Sequence, residues 1–151
     1  MAVDIASLIH KGGVFMDISG DTPEMVYRQI CDSMQLPSDI TANTIYNALC
    51  AREKVMSTAV GNGIALPHSR MPILTNEDEQ RICVVYLKEP MDMKAPDDCK
   101  VSVMFILLTA NPETHLQVLS TLVSLFQKKE FKKLLENKAG EAELLAAIRG
   151  L

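Results

Sequence analysis

One segment, running from Gly61 to Arg70, combines residue types that could do chemistry with a backbone able to hold them in place. Gly61 and Gly63 allow backbone angles that are closed to other residues, and Pro67 favours an extended backbone for the residue before it. The segment therefore predicts a tight turn, a short apolar strand and a histidine, His68, at the strand end. Imidazole titrates near neutral pH, so its neutral form is available as a nucleophile or a base. A surface-loop histidine beside a structural proline would also fit these residues, because Pro and Gly are common in ordinary loops.

Two further side chains, His115 and Arg52, are candidates for the same chemistry. His115 lies one turn into a predicted helix that follows the most apolar strand, and strand ends that meet helix N-termini are where α/β proteins bind anions. Taken alone, that position favours a partly exposed helix histidine. Arg52 lies at a predicted helix end, where a cation complements the helix dipole. A guanidinium there could also clamp a phosphate with paired donors, and the local sequence leaves both interpretations open.

The bulk composition limits the classes of protein to consider. With 151 residues the chain is long enough for a single domain, residues 1–151, with a hydrophobic core. Its net charge of −4 argues against nucleic acid as a partner, because phosphate neutralisation needs clustered Lys and Arg. The one basic cluster is interleaved with Glu130 and Glu136 on a predicted helix, which indicates a solvated face. That cluster consists of Lys128, Lys129, Lys132 and Lys133.

The cysteines and the apolar runs point to a cytoplasmic protein. The four cysteines have no CxxC spacing and no nearby histidine, so zinc and redox motifs are absent. Cys31, Cys50 and Cys83 lie in helix-like or strand-like runs and are expected to be buried thiols. The start of the chain, Met1 to Asp4, shows no signal-peptide pattern, and the longest apolar run, 101–108, is too short to span a bilayer. We therefore expect a cytoplasmic protein without direct membrane insertion.

Periodicity predicts strands interleaved with helices, which indicates an α/β domain. The clearest strand, residues 101–108, is apolar on both faces, as expected for a central strand that is covered on both sides. Glu89-Pro90 is expected to end the strand before it, and residues 71–80 are expected to form an exposed loop. Further strands are predicted at 14–18 and 81–87, and helices at 5–10, 22–34, 111–126, 129–137 and 141–148. One more helix is predicted to begin at Ser38-Asp39 and to end near Arg52 or Glu53.

The run from Arg52 to His68 resembles the signature of enzyme IIA domains of the bacterial phosphotransferase system. The similar branch is the fructose, mannitol and nitrogen-regulatory type, known as EIIA type 2. The shared pattern is an Arg-Glu pair, a Ser-Thr pair, two glycines and a Pro-His at this spacing. Residues 112–126, with the second histidine near the start of an apolar helix, are similar to the family's second histidine region, and residues 17–34 fit its first strand and long helix. The resemblance covers nearly the whole chain.

This resemblance implies both a fold and a function. The implied fold is an α/β domain with a mixed β-sheet flanked by helices on both faces, a three-layer architecture of the phosphotransferase/anion-transport-protein type. The implied function is that of a phosphohistidine carrier, in which His68 accepts a phosphoryl group from the phosphocarrier protein HPr and passes it on. His115 would orient or stabilise the phosphoryl group, and Arg52 would lie beside the site. Such chemistry requires no metal and no organic cofactor.

Several roles remain compatible with the sequence. A standalone regulator of the nitrogen-regulatory type is favoured, because a chain of this length fits that branch. The alternatives are the IIA component of a fructose/mannitol-type sugar uptake system that donates to a separate IIB component, and a noncatalytic regulatory binding module. A histidine-dependent hydrolase is less well supported, since no Ser or Cys nucleophile motif accompanies the histidines. The apolar share of 48% is also compatible with a homodimer.

Overall fold

A computed structural model of the chain describes residues 4–150 and shows an open sheet of five strands. The residues Met1 to Val3, which belong to the segment without a signal-peptide pattern, lie outside the described residues. The spatial order of the strands is β1-β4-β5-β3-β2. The strands are β1 (Val14–Ile18), β2 (Ala59–Gly61), β3 (Ile64–Ala65), β4 (Arg81–Met91) and β5 (Val101–Leu108). The helices are α1 (Ile5–Gly12), α2 (Pro23–Ser33), α3 (Ala42–Val55), α4 (Pro112–Phe126), α5 (Lys129–Glu136) and α6 (Glu141–Arg149).

The sheet is mixed, with β5 at its centre. β5 runs antiparallel to β4 and parallel to β3, while β1 runs parallel to β4 and β2 antiparallel to β3. Seven of the eight residues of β5 are buried, because helices cover it from both sides. This confirms the prediction, made from its apolar run, that it is a central strand.

Two hydrophobic layers cover the faces of the sheet. On one face α1, α4, α5 and α6 pack around Phe105 of β5, whose ring contacts Phe126 at a centroid distance of 5.0 Å. On the other face α2 and α3 pack against Met104 and Ile106. Because neighbouring residues of a strand point to opposite faces, β5 supplies side chains to both layers. The three-layer α/β prediction is confirmed, and Cys31, Cys50 and Cys83 are buried as expected.

The predicted start of α3 at Ser38-Asp39 is wrong. The helix begins at Ala42, after Thr41, whose side-chain oxygen accepts a hydrogen bond from the Thr44 N–H at 3.2 Å. Ser, Asp and Thr are all competent N-cap residues, so the local sequence offers more than one start.

The predicted end of β4 at Glu89-Pro90 is also wrong, because the strand continues to Met91. Pro90 is tolerated because the pairing of β4 with β5 is irregular between Tyr86 and Met91, and proline occurs at such bulges. The segment 71–80 is not a fully exposed loop, since it contains a 3-10 helix at Glu77–Glu79 and buries Leu74. Within residues 4–150, no helix is both long and apolar enough to cross a bilayer.

Candidate active site

The loop that carries His68 is held from both sides by backbone hydrogen bonds. The turn between β2 and β3 uses left-handed backbone angles at Gly61 and Gly63, with φ of 96° and 78°, as the two glycines predict. After β3, the Leu66 N–H donates to the Thr58 carbonyl at 2.9 Å, and the Leu107 N–H donates to the Pro67 carbonyl at 2.9 Å. His68 therefore emerges half-buried beside the C-terminal end of β5, as the predicted turn and strand require.

The tautomer of His68 follows from one hydrogen bond. Its Nδ1 lies 2.6 Å from the Leu66 carbonyl oxygen. A carbonyl can only accept, so Nδ1 carries the hydrogen and the lone pair is on Nε2. Burial lowers the pKa of His68 below its ordinary value, and the positive charge of Arg52 lowers it further. The hydrogen bond to Leu66 and the negative charge of Glu53 raise this pKa, but by less than burial lowers it. The net lowering of this pKa favours the neutral ring.

His115 lies in the first turn of α4, directly beside His68. Asn111 caps this helix by accepting a hydrogen bond from the Thr114 N–H at 2.8 Å, as its N-cap sequence predicts. The two imidazole rings have centroids 5.3 Å apart and are inclined by 63°. The alternative of a partly exposed helix histidine is wrong, since only 8% of His115 is exposed, and its Nδ1 lies 2.8 Å from the Thr109 hydroxyl oxygen. Burial, and then the neighbouring His68, lower the pKa of His115.

Arg52 has the helix-end role that its sequence position allowed. It lies in the last turn of α3, where its guanidinium donates to the Met56 carbonyl at 2.6 Å and so satisfies a carbonyl at the helix end. Its charge also acts on His68, whose pKa it lowers. A guanidinium has five N–H donors, so one bond to a carbonyl leaves donors for an anion.

Glu53 is a structural hub that the residue types alone did not indicate. Its carboxylate accepts hydrogen bonds from the Thr58 N–H at 2.8 Å, the Thr58 hydroxyl at 2.7 Å and the Tyr27 hydroxyl at 2.6 Å. These bonds connect α2 and α3 to Thr58, just before β2. The carbonyl of Thr58 in turn accepts the hydrogen bond from the Leu66 N–H that helps to hold the His68 loop. The available signal was the Arg-Glu pair itself, which places Glu53 next to a candidate site residue. Thr109, the first polar residue after β5, is a second contact residue of the site that the residue types alone did not indicate.

An apolar groove of about 820 Å³ lies beside this site and is lined in part by Arg52 and Ser69. Arg70 also lines the groove and is exposed. Large apolar side chains are unusually exposed here, with exposed fractions of 68% for Met56 and 66% for Met71. Contiguous exposed apolar surface with polar residues around it is typical of protein interaction sites. Among residues 4–150, no group of three or more His, Cys, Asp and Glu side chains is arranged to hold a metal ion.

Comparison with known proteins identifies the family. The family model described as phosphoenolpyruvate-dependent sugar phosphotransferase system, EIIA 2, matches residues 7–150. The chain belongs to this family. This EIIA 2 protein is therefore a phosphocarrier of that system, and the resemblance seen in the Arg52 to His68 run is confirmed.

Individual relatives of this EIIA 2 protein extend the comparison. The nitrogen regulatory protein of Pseudomonas aeruginosa is 31% identical over 150 residues, which cover 97% of this chain and 94% of that protein. The crystal structure of the nitrogen regulatory protein IIA-Ntr from Neisseria meningitidis superposes with a TM-score of 0.81 at 26% identity, covering 95% of this chain and 98% of that one. The crystal structure of mannitol IIA from Escherichia coli shares the fold, with a TM-score of 0.64 at 20% identity. That superposition covers 89% of this chain and 96% of the mannitol IIA chain.

Proposed function

We propose that His68 accepts a phosphoryl group on Nε2 from an HPr-type phosphocarrier protein and later passes it on. The observation that supports this most directly is the 2.6 Å contact between His68 Nδ1 and the Leu66 carbonyl, which leaves Nε2 with its lone pair. Nε2 would attack phosphorus in line, while the bond from phosphorus to the donor histidine breaks and the donor nitrogen keeps that electron pair. The phosphorylated ring becomes cationic, and the Leu66 carbonyl still accepts from its Nδ1–H.

His115 and Arg52 would stabilise the transferred group. When the Thr109 hydroxyl donates to His115 Nδ1, the Nε2 of His115 carries the hydrogen and can donate to a phosphoryl oxygen. The Arg52 guanidinium adds positive charge beside His68. Phosphoryl transfer depends chiefly on positioning and on charge stabilisation of this kind, so these residues suffice without a metal or organic cofactor.

The surface around the site supports a transient protein partner. Val55, Met56 and Met71 line the groove beside the His68 loop and are 66% to 78% exposed. Leu116, which follows His115, is 67% exposed. A carrier must meet its donor and its acceptor in turn, and exposed apolar side chains around the reactive histidine suit short-lived contacts with both. We infer that HPr and the acceptor dock on this face.

We favour a standalone regulator, working in the cytoplasm as a single EIIA domain. The support is the similarity to nitrogen regulatory proteins over nearly the full length of both chains. In that role, the phosphorylation state of His68 controls binding to a target protein.

The alternative is a sugar-uptake component that donates to a separate IIB component. It is supported by the fructose-specific EIIABC component of Bacillus subtilis, which is 26% identical over 142 residues that cover 91% of this chain and 22% of that protein. A solution structure of mannitol IIA from Escherichia coli, at 18% identity, is a complex with phosphorylated mannitol IIB.

The experiment that tests the carrier proposal is intact-mass analysis after incubation with phosphoenolpyruvate, enzyme I and HPr. The chain has three histidines, so His10→Ala is a matched control, because His10 is exposed and pairs with Glu141. We expect one acid-labile phosphoryl group in the wild type and in His10→Ala, none in His68→Ala, and slower formation or discharge in His115→Ala. A label that persists in His68→Ala would overturn the assignment of the acceptor.

A second experiment separates the two roles. The phosphorylated protein is mixed with a purified fructose-type IIB domain, and loss of the label is followed over time. A regulator is expected to keep its label on the time scale on which a sugar-uptake IIA transfers it. Rapid transfer to IIB would favour the sugar-uptake alternative over the regulatory role.

A further inference from the structure

A second groove, of about 700 Å³, lies between α5 and the N-terminal ends of β3 and β5. In the sheet Ile64 pairs with Val103, whereas His68 pairs with Leu107. Four residues along a strand span about 13 Å, so the groove and His68 lie toward opposite ends of the same pair of strands. Its principal lining residues are Asn62, Ile64, Ser102, Val103, Leu135 and Glu136, together with three lysines of α5. This groove is a separate surface from the active site, and nothing inferred about it rests on phosphoryl transfer at His68.

The α5 wall of the groove is strongly cationic. Lys129, Lys132 and Lys133 all line it, because residues three and four apart share a helix face. Glu136 is the single acidic residue among the lining side chains, so the lining carries two net positive charges. None of the three lysines forms an ion pair within residues 4–150. Like charges at this spacing repel one another, and a bound anion would remove that repulsion.

This local charge is opposite in sign to that of the chain, whose net charge is −4. The sequence pattern indicated a solvated helix face, but the structure places part of the cluster in a concave site. Lys132 is half-buried, while Lys129 and Lys133 are exposed at the rim. Ammonium groups that converge on one groove bind phosphate as point charges.

The rest of the lining is suited to something more than inorganic phosphate. Ile64, Val103 and Leu135 are buried apolar residues whose surfaces contribute to the groove. Asn62 and Ser102, on the sheet side, bring an amide and a hydroxyl that can read hydrogen-bonding edges. A groove of this volume, with a mixed apolar and polar lining, is in the range of small-molecule sites. The ligand class that carries several negative charges together with a flat, hydrogen-bonding ring is the nucleoside polyphosphates.

We propose that this groove binds a nucleoside polyphosphate, with the phosphates on Lys129, Lys132 and Lys133 and the base toward Ile64 and Val103. The test is titration calorimetry of the full chain with ATP and GTP, the corresponding di- and monophosphates, and pyrophosphate, in EDTA at physiological ionic strength. Affinity is expected to rise with the number of phosphates, and pyrophosphate is expected to bind more weakly than either triphosphate.

Matched variants locate the binding. The double variant Lys132→Gln with Lys133→Gln is expected to weaken triphosphate binding about tenfold or more, the change expected from losing two charge-assisted contacts. The control double variant, Lys88→Gln with Lys94→Gln, makes the same change in net charge at exposed lysines outside the groove and is expected to bind like the wild type. Equal weakening in both double variants would show non-specific charge attraction and overturn the proposal.

Cys99 supplies a second readout that does not depend on affinity. It lines the groove and is exposed, whereas Cys31, Cys50 and Cys83 are buried. A saturating triphosphate is expected to slow alkylation of Cys99 by iodoacetamide in the wild type and in the control double variant. No binding at millimolar triphosphate, or binding without protection of Cys99, would overturn the proposal. Pyrophosphate that binds as tightly as a triphosphate would also overturn it, because the apolar lining would then have no role.

Discussion

The imidazole rings of His68 and His115 meet edge to face, with centroids 5.3 Å apart. They come from different elements, the loop after β3 and the first turn of α4. In each ring Nδ1 is engaged by a neighbouring oxygen, that of the Leu66 carbonyl for His68 and that of the Thr109 hydroxyl for His115. Both rings are therefore held at Nδ1, and neither Nε2 takes part in these two contacts.

Thr109→Val is expected to slow phosphoryl transfer while still allowing His68 to be labelled. Valine keeps the shape of threonine but removes the hydroxyl that holds His115 Nδ1 at 2.8 Å. A hydrogen bond of about 1 kcal/mol corresponds to a rate change of roughly fivefold. Rapid-quench measurement of transfer from HPr tests this, and Thr109→Ser, which keeps the hydroxyl, is expected to transfer like the wild type. Wild-type rates in Thr109→Val would show that this bond does not position His115.

Glu53→Gln is expected to lower the free energy of unfolding by about 1–3 kcal/mol. The Glu53 carboxylate accepts three hydrogen bonds from Thr58 and Tyr27, and an amide presents one donor group where only acceptors fit. Urea denaturation measures the change. Glu89→Gln, at an exposed position of β4, is the control and is expected to unfold like the wild type. Equal stability of the two variants would contradict the role of Glu53 as a hub.

Phosphorylation of His68 is expected to stay efficient below pH 6.5, the ordinary value for histidine. Burial lowers the pKa of His68 and of His115, so the neutral, nucleophilic ring persists to a lower pH than in an exposed histidine. The measurement is the initial rate of labelling against pH, with the donor HPr kept saturating, together with an NMR titration of the ring protons. A ring pKa above 6.5 in the folded protein would contradict this expectation.

The same pKa shifts predict how stability depends on pH. Between pH 6.5 and the lowered folded pKa values, the unfolded chain binds more protons than the folded chain, so the free energy of unfolding falls as pH falls through this window. Above pH 6.5 this contribution to stability is fully present. Urea denaturation across the window should show a shallower pH dependence in a variant with His68→Gln and His115→Gln than in the wild type. Parallel curves would show that the two rings do not contribute.

Met71→Asp is expected to raise the KM for HPr about tenfold and to leave the free energy of unfolding nearly unchanged. Met71 is 66% exposed on the groove beside the His68 loop, so it contributes little to the core. It could contribute to docking, where a minority of side chains are each worth more than about 1 kcal/mol. Steady-state phosphorylation with varied HPr measures KM. Met16→Asp on β1, at the other edge of the sheet and 43% exposed, is the control. A similar KM in both variants would place the docking face elsewhere.

Local signals in the sequence were sufficient for much of the fold and for the candidate residues. The glycines of the β2–β3 turn, the Asn111-Pro112 helix start and the apolar run of β5 each report the backbone preference of a few adjacent residues. The wrong boundaries arose where local rules were ambiguous. Thr41 competed with nearby residues as the cap of α3, and Pro90 was accommodated by an irregular strand pairing.

Only the tertiary structure brought the site together. The order β4-β5-β3 in the sheet places His68 beside the end of β5, from which Thr109 and α4 bring His115 into contact. The role of Glu53, and the place of the α5 lysines in a groove, depend likewise on which helix packs against which strand. Residue spacing encodes backbone conformation over one or two turns, whereas these contacts depend on strand order and on packing of the whole core. The sequence therefore determined which groups are available for phosphoryl chemistry, and the sheet decided which of them meet.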